Sequence, residues 1–287
     1  MDFSLYWFMF PIAILIACIA MLCGIGGAAI FTPVFLLLFP LLGDEYLLED
    51  PLTAITAALL TTSFGFASGF VGYYRKGLID YSLSISFLRL ALPFALLGVF
   101  AVRLFSGEMV ILFYGLLMLM ISAFILFEEK WMKSEKKVSK EKGRSLTDKA
   151  GNTYSYPFYM AHAGMTSMGA FLTGLVSVGI GEMVMPQLLK RGNIPFQVAA
   201  ATSVLIVICT VMSAAIAHVL LMVNEGGMLS VPWHLVVYTV PGVIIGGQIG
   251  PALQGKFNQQ KMEQGISLVF LLIGIAMLVS VFFNYES

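Results

Sequence analysis

Long apolar stretches separated by short polar turns run along almost the whole chain. A membrane-spanning helix needs about 20 mainly apolar residues, and ten apolar stretches of 9 to 26 residues are candidate segments. Five precede and five follow the polar stretch EEKWMKSEKKVSKEKGRSLTDKAGN. The pattern predicts an all-α polytopic membrane protein with about ten transmembrane segments. The predicted segments are 5–21, 28–42, 54–73, 81–102, 109–127, 158–175, 181–189, 198–223, 233–253 and 266–283.

The composition agrees with a membrane class. Only 11% of the residues are charged, against about 25% in soluble domains, and the mean hydropathy is +0.91. No Lys or Arg precedes the first apolar stretch, which therefore reads as a membrane segment rather than a cleavable signal. The expected surroundings are the lipid bilayer. No nucleic acid, cofactor or metal ion is expected as a partner, and a homo-oligomer stays open as an option.

The positions of Lys and Arg predict the orientation in the cell (inner) membrane. Cytoplasmic loops carry an excess of these residues. If the central polar loop lies in the cytoplasm, alternate crossings place all the cations except Arg89 and Arg103 on that side and both termini outside. The loop is expected to be a solvated linker. The predicted units are a first membrane repeat (1–128), this linker (129–156) and a second membrane repeat (157–287).

Two segments are interrupted in the same way. The stretch CGIGGAAIFTPVF in the first half matches SVGIGEMVMPQLL in the second, so that Pro33 aligns with Pro186. A helix rich in Ala, Thr and Ser follows each, and then a helix with a central proline. Five segments per repeat give the two copies inverted topology. That architecture is common in secondary transporters, whose substrate sites lie on interrupted helices near the membrane midplane.

The glycines at these interruptions are candidate substrate-binding residues. The helix between the second break and Lys190 is only about 20 Å long, whereas the hydrocarbon core is about 30 Å thick. The break should therefore lie inside the membrane, where free N–H groups and a positive helix end suit an anion. The alternative is that the glycines serve close helix packing. The candidates are Gly24, Gly26, Gly27, Gly179 and Gly181.

At these motifs the sequence resembles the TauE/SafE family of sulfite exporters. The stretches GIGGAAIFTPVF, YYRKGLIDY and VGIGEMVMPQLLKRGNIPFQVAAATS carry the resemblance, which covers nearly the whole chain. It implies transport of a small sulfur-containing anion, such as sulfite, a sulfonate like sulfoacetate, or a related organosulfur compound. The second motif departs from the glycine-rich family form, because Ser177 begins it and Glu182 follows it. That acid argues against a simple two-fold symmetric anion site.

Other polar residues are weaker candidates. Arg89 lies mid-segment, where an intramembrane charge is costly, so it is expected to contact the anion, to pair with Glu182 or to snorkel to the cytoplasmic surface. Glu182 could couple protons to transport or cap the following half-helix. The hydroxyls near the repeat interface could bind substrate or bridge helices. They belong to Thr62, Ser63, Thr202 and Ser203.

The sequence thus predicts a secondary transporter for a small sulfur-containing anion, coupled to an ion gradient. The alternatives are a passive anion channel and a transporter of a non-sulfur organic anion. A membrane enzyme is not expected. The sequence has no clustered His with acids, no nucleophile beside a base and no nucleotide-binding loop.

Overall fold

Helices make up most of the computed structural model, which describes residues 3–48, 50–131, 143–253 and 259–284. The helices of the first half are α1 (Met9–Cys23), α2 (Ala28–Pro33), α3 (Phe39–Leu42), α4 (Pro51–Lys76), α5 (Tyr81–Ala101) and α6 (Gly107–Trp131). The helices of the second half are α7 (Ala163–Val176), α8 (Ile180–Pro186), α9 (Phe196–Gly226), α10 (Trp233–Leu253) and α11 (Gln259–Asn284).

Within these described ranges, six helices are long and apolar enough to cross a membrane, namely α4, α5, α6, α9, α10 and α11. Their outer faces carry exposed large apolar side chains such as Leu97, Leu116, Leu220 and Leu272. Surfaces of this kind are covered by lipid in membrane proteins, since soluble monomers rarely expose large apolar patches. Shorter apolar helices cover Met9–Cys23, Ala28–Leu42 and Ala163–Val176.

The two prolines do not end their helices. Pro33 is followed by a π-helical turn at Val34–Leu38, and Pro186 by another at Gln187–Arg191. Proline has no N–H to donate and its ring crowds the preceding turn, and a widened turn is one way for a helix to continue past it. The breaks in both halves therefore come from the glycine-containing stretches that precede α2 and α8.

The two halves pack mainly against each other. α1 lies along α10, and α7 lies along α5. α4 contacts α9 and α10, α5 contacts α9, and α6 contacts α11. A Cβ atom at Gly98 would overlap the carbonyl of Phe171, and one at Gly246 would overlap the carbonyl of Ile14. Glycine thus allows the α5–α7 and α1–α10 pairs their close approach.

A β-hairpin occupies much of the stretch that we predicted to be a solvated linker. Strand β1 (Gly143–Thr147) pairs antiparallel with β2 (Thr153–Pro157), with Arg144 opposite Tyr156. The prediction of an all-α protein therefore misses this hairpin. The many Lys and Glu residues obscured a short alternating pattern in TYSYP. The Lys-rich part of the linker, residues 132–142, lies outside the described residues.

The hairpin docks on the first turn of α5 through Asp80. The Asp80 carboxylate accepts hydrogen bonds from the Leu83 N–H (2.9 Å) and the Tyr156 hydroxyl (2.9 Å). It also pairs with the Arg144 guanidinium at 3.3 Å. Burial raises the pKa of Tyr156, and the nearby Asp80 carboxylate raises it further. One aspartate thus both caps α5 and holds the hairpin.

Loops gather at two ends of the helix bundle. At one end, the Lys149 N–H donates to the Lys76 carbonyl (3.0 Å), and Lys76 Nζ donates to the Pro251 carbonyl (2.6 Å). At the other end, Arg103 forms an ion pair with Glu225. Arg103 is the one cation predicted to lie in an outside loop. It is thereby paired with an acid from another loop that is predicted to lie outside.

Candidate functional site

The two breaks begin with the same left-handed turn. α1 ends at Gly24, which has φ 68°, and α7 ends at Ser177, which has φ 66°. Each N–H closes the preceding helix, onto the Ala20 carbonyl in the first case and the Thr173 carbonyl in the second. The left-handed conformation turns the chain sharply, and a new helix begins within a few residues. Ser177 is therefore a non-glycine residue at a position that favours glycine.

The backbones of the two breaks lie directly against each other. A Cβ atom on Gly181 would be 2.6 Å from the Gly26 nitrogen and 3.0 Å from the Ile25 carbonyl carbon. A Cβ atom on Gly24 would be 3.1 Å from Met185 Sδ. Gly181 therefore allows close backbone packing, which was the alternative role considered for these glycines. The same contact brings N–H groups from both halves into one place.

Glu182 joins the two breaks. Its Oε1 accepts a hydrogen bond from the Gly26 N–H at 3.1 Å, and its Oε2 accepts one from the Gly179 N–H at 3.0 Å. The bond to Gly179 caps α8, the structural role considered for this acid. The bond to Gly26 reaches across to the other half of the chain. An oxyanion group thus sits between N–H donors that precede two helices.

The surroundings of Glu182 are mostly apolar. The residue is 2% exposed, and within the described ranges it forms no ion pair. A cavity of about 30 Å³ beside it is lined by Cys23, Ile125, Met185 and Ile266, among others. That space holds about two water molecules. Its charge is therefore met by backbone N–H groups rather than by a cation.

Two of the four predicted hydroxyls face the breaks. Thr62 Oγ1 would lie 3.6 Å from a Cβ atom on Gly27, and Ser203 Oγ 3.3 Å from one on Gly24. The Ser203 hydroxyl donates to the Ala200 carbonyl. The Thr62 hydroxyl is buried and has no hydrogen-bond partner among the described residues. Buried polar groups are normally paired, so Thr62 is the more informative of the two.

The other two hydroxyls are engaged elsewhere. Ser63 donates to the Leu59 carbonyl of its own helix at 2.8 Å. Thr202 accepts a hydrogen bond from the Asp80 N–H at 3.1 Å, at the start of α5. Both arrangements match the helix-bridging and backbone-bonding alternative for membrane hydroxyls.

Arg89 lies apart from this group. Its side chain is exposed on α5, and the ion pairs found in the described ranges join Arg103 to Glu225 and Arg144 to Asp80. The ion pair with Glu182 that the sequence suggested is therefore not formed. In this conformation Arg89 does not contact the two breaks.

Several polar residues at the breaks were not predicted. Thr32 of α2 and Ser177 share a hydrogen bond of 2.7 Å between their hydroxyls. Tyr114 of α6 donates to the Ala29 carbonyl at 3.2 Å. Thr173 Oγ1 accepts the Ile180 N–H at 2.8 Å. One usable signal was Ser177, a hydroxyl residue that aligns with a glycine of the first motif.

The residues that the structure describes provide no candidate metal site. Across the residues that the structure describes, no three His, Cys, Asp or Glu side chains come together in a way that could hold a metal ion. The polar groups at the breaks are backbone N–H groups, hydroxyls and one carboxylate. These groups suit recognition of an anion or a proton.

Long apolar helices, paired helix breaks and a buried polar group between them define a polytopic membrane protein of the transporter class. The family described as "Sulfite exporter TauE/SafE" matches residues 9–277, and the chain belongs to this family. A Bacillus subtilis (strain 168) protein described as "Probable membrane transporter protein YunE" is 27% identical over 269 residues, which is 92% of this chain and 93% of that protein. No solved structure matches the chain. The resemblance inferred from the motifs is confirmed.

Proposed function

We propose that this protein is a secondary transporter that moves a small sulfur-containing anion across the cell membrane. The substrate class is sulfite, a sulfonate such as sulfoacetate, or a related organosulfur anion, and an ion gradient drives its movement. The observation that carries the proposal is the meeting of N–H donors from both breaks on one buried oxyanion, the Glu182 carboxylate. Sulfite and sulfonate oxygens accept the same hydrogen bonds.

We also propose the inverted-repeat architecture with ten segments. The contacts between helices support this repeat. If each helix is replaced by its counterpart in the other half, the α1–α10 contact becomes α7–α5 and the α4–α10 contact becomes α9–α5, and all four contacts are present. The pairs α4–α9 and α6–α11 map onto themselves under the same exchange. The short helices α1, α2, α7 and α8 then supply the remaining four segments. Interrupted helices at a repeat interface are where such transporters bind substrate.

The first experiment is a binding screen on the purified full-length protein. Thermal stability is measured with sulfite, thiosulfate, sulfoacetate, taurine and sulfate, and with acetate as a non-sulfur control. A ligand at 100 times its Kd stabilises the folded state by about 2.7 kcal/mol. We expect at least one sulfur anion to raise the Tm and acetate to have a much smaller effect. Stabilisation by carboxylates alone would favour a transporter of a non-sulfur organic anion.

The Thr62 hydroxyl provides a matched test of the site. Thr62→Val removes a buried hydroxyl without a partner, so the fold should keep its stability or gain slightly. The affinity for the sulfur anion should fall, because one hydrogen-bond donor is lost. The control is Ser63→Ala, whose hydroxyl is already used by the Leu59 carbonyl. Equal effects of the two variants on affinity would place the anion away from Gly27.

Arg89 needs its own test, because an exposed side chain on α5 can bind the anion only after α5 moves. If Arg89 is a ligand, Arg89→Ala should lower the affinity roughly tenfold to a hundredfold, as for a lost charged hydrogen bond of about 1.5–3 kcal/mol. Arg89→Lys should have a smaller effect, since it keeps the charge but loses the two-pronged geometry. Unchanged affinity in both variants would exclude Arg89 from the site.

Transport in proteoliposomes distinguishes the transporter from a passive channel. A proton gradient should drive accumulation of the anion above its external concentration in a secondary transporter. A channel only equilibrates the anion with the membrane potential. Accumulation that follows the potential alone, with no response to the pH gradient, would support the channel.

The proposed orientation places the hairpin in the cytoplasm and the Glu45 and Leu229 loops outside. The loops that share each end in the structure agree with this division, and the basic residues decide which end is inside. Single cysteines at Ala150 and Leu229, both exposed, can be labelled on intact cells with an impermeant thiol reagent. We expect labelling at 229 only. Labelling at 150 would reverse the orientation.

A further inference from the structure

We propose that Glu182 is a tethered anion that occupies the substrate's donor groups in this conformation and leaves them, taking up a proton, when the transported anion binds. This inference rests on the proposed function and assigns the coupling ion. Each carboxylate oxygen takes one N–H from a different half, Gly26 for Oε1 and Gly179 for Oε2. These are the donors that a bound oxyanion would need.

The carboxylate does more than a cap requires. A helix cap would use only the Gly179 N–H of its own break, yet Glu182 also bonds Gly26, 156 residues away. The first break has no acid of its own, and its Gly26 N–H bonds the Glu182 carboxylate of the second break. Ala29 stands four residues before Pro33, as Glu182 stands four residues before Pro186. One carboxylate thus serves N–H groups of both breaks.

A second observation points to a ligand at the same place. The Thr62 hydroxyl is 2% exposed, lies beside Gly27 and has no hydrogen-bond partner among the described residues. Because Gly27 directly follows Gly26, this donor adjoins the N–H that Glu182 occupies. An oxyanion that replaced the carboxylate would find the two N–H groups, with a hydroxyl beside the residue that follows one of them.

The charges around the site require a proton for the exchange. The titratable groups that face Glu182 are the Cys23 thiol from α1 and the Tyr114 phenol from α6. The other side chains that line the cavity, from α6, α8 and α11, are apolar. No cation in the described ranges pairs with Glu182. A displaced carboxylate beside a bound anion would add a further buried negative charge, which is strongly unfavourable. One proton on the carboxylate removes that added charge.

The first test measures proton uptake during binding by the purified full-length protein. Sulfoacetate is the probe, because its own charge does not change between pH 6 and 8. A pH-indicator dye should report uptake of about one proton per anion bound. The affinity should weaken with rising pH by at most about tenfold per pH unit, the limit for one coupled proton. Glu182→Gln should bind without proton uptake and with a flat pH profile. Glu45→Gln, at an exposed loop, is the control and should behave like wild type.

A second test does not depend on sulfur-anion binding. Glu182→Ala removes the carboxylate and leaves both N–H donors, so formate should fill the vacated place and raise the Tm of the variant. Wild type at pH 8 should show little response. If Glu182→Ala does not fold, Glu182→Gln takes its place, since it keeps the volume and offers only one acceptor oxygen. Its response to formate should exceed that of wild type.

The outcomes separate the two proposals. If no sulfur anion in the screen binds but formate stabilises the Glu182 variant, the substrate class is wrong, and the two N–H groups are an anion site, as the tethered anion requires. Sulfoacetate binding to wild type without proton uptake would overturn the tethered anion and leave the substrate class intact. A folded Glu182 variant that responds to formate no more than wild type would also overturn it.

Discussion

The two helix breaks share the left-handed turn at Gly24 and Ser177 but differ in the residues around it. At the first, Gly24 faces the thioether of Met185. At the second, Ser177 takes the place of Gly24, Thr32 takes the place of Met185, and the two hydroxyls bond at 2.7 Å. The contact is apolar on one side and polar on the other. The left-handed turn is thus common to both copies, whereas the side chains around it differ, and so does the backbone after it, because Gly179 has φ 139° and the matching Gly26 has no positive φ.

The acidic side chain also differs between the two breaks. Glu182 belongs to the second break and Ala29 holds the matching place in the first. Both breaks have hydroxyl groups nearby and both contribute N–H groups, but the carboxylate comes from one copy. The proposed anion site is therefore not symmetric, because α8 carries an acid and α2 does not.

Among the variants that test this comparison, Gly181→Ala should lower the stability of the protein the most. The matching residue in the first half, Ala28, already carries a Cβ and is fully buried. A Cβ on Gly181 would meet the Gly26 nitrogen at 2.6 Å, a backbone atom that cannot turn aside. We expect a loss of about 3 kcal/mol, the upper range for overpacking, measured as a lower Tm and a loss of monodispersity. Gly265→Ala, with nothing within 4 Å, is the control and should be neutral or slightly stabilising. An undisturbed Gly181→Ala protein would mean that the breaks are not in contact.

The left-handed residues give the next largest effect. Gly24→Ala forces a Cβ into φ 68°, which costs about 1–2 kcal/mol, although the nearby Met185 side chain can move away. Ser177→Gly should relieve a similar strain but lose the hydroxyl bond to Thr32, so its net effect should lie within about 1 kcal/mol of zero. Chemical or thermal denaturation in detergent measures both. A Gly24→Ala variant as stable as Ser177→Gly would show that the two turns are not equivalent.

The smallest expected effect concerns the hydroxyl pair. Thr32→Val leaves the Ser177 hydroxyl without its Thr32 partner and should cost about 1 kcal/mol. Combining it with Ser177→Gly removes both hydroxyls and makes the second break resemble the first. The double-mutant cycle should give a coupling of about 0.5–1.5 kcal/mol. A coupling near zero would indicate that the bond contributes nothing to stability. The matched control is Met185→Leu, a volume-conserving change on the first side.

Much of the helical layout could be predicted from the sequence, because long apolar runs and glycine clusters are local signals. The breaks before α2 and α8 lie where the motifs placed them. The hairpin was missed because β1 and β2 are short and partly solvated, so their alternation is weak. Glu182 was recognised as a cap or a coupling acid, but its bond to Gly26 depends on the packing of the two halves. Arg89 shows the converse: its position along a helix does not reveal which face of that helix it occupies.

The packing between the two halves has a consequence for how the protein is made. The main partners of α1 and α4 are on α10 and α9, and those of α5 are on α7 and α9. At a synthesis rate of about 5–20 residues per second, α1 waits roughly 10–50 s after its own synthesis before α10 is complete. During that interval, the face of α1 that packs against Gly246 of α10 must be covered by lipid or by the insertion machinery. Ribosome pausing or premature release after α6 should therefore leave a product open to degradation by membrane proteases.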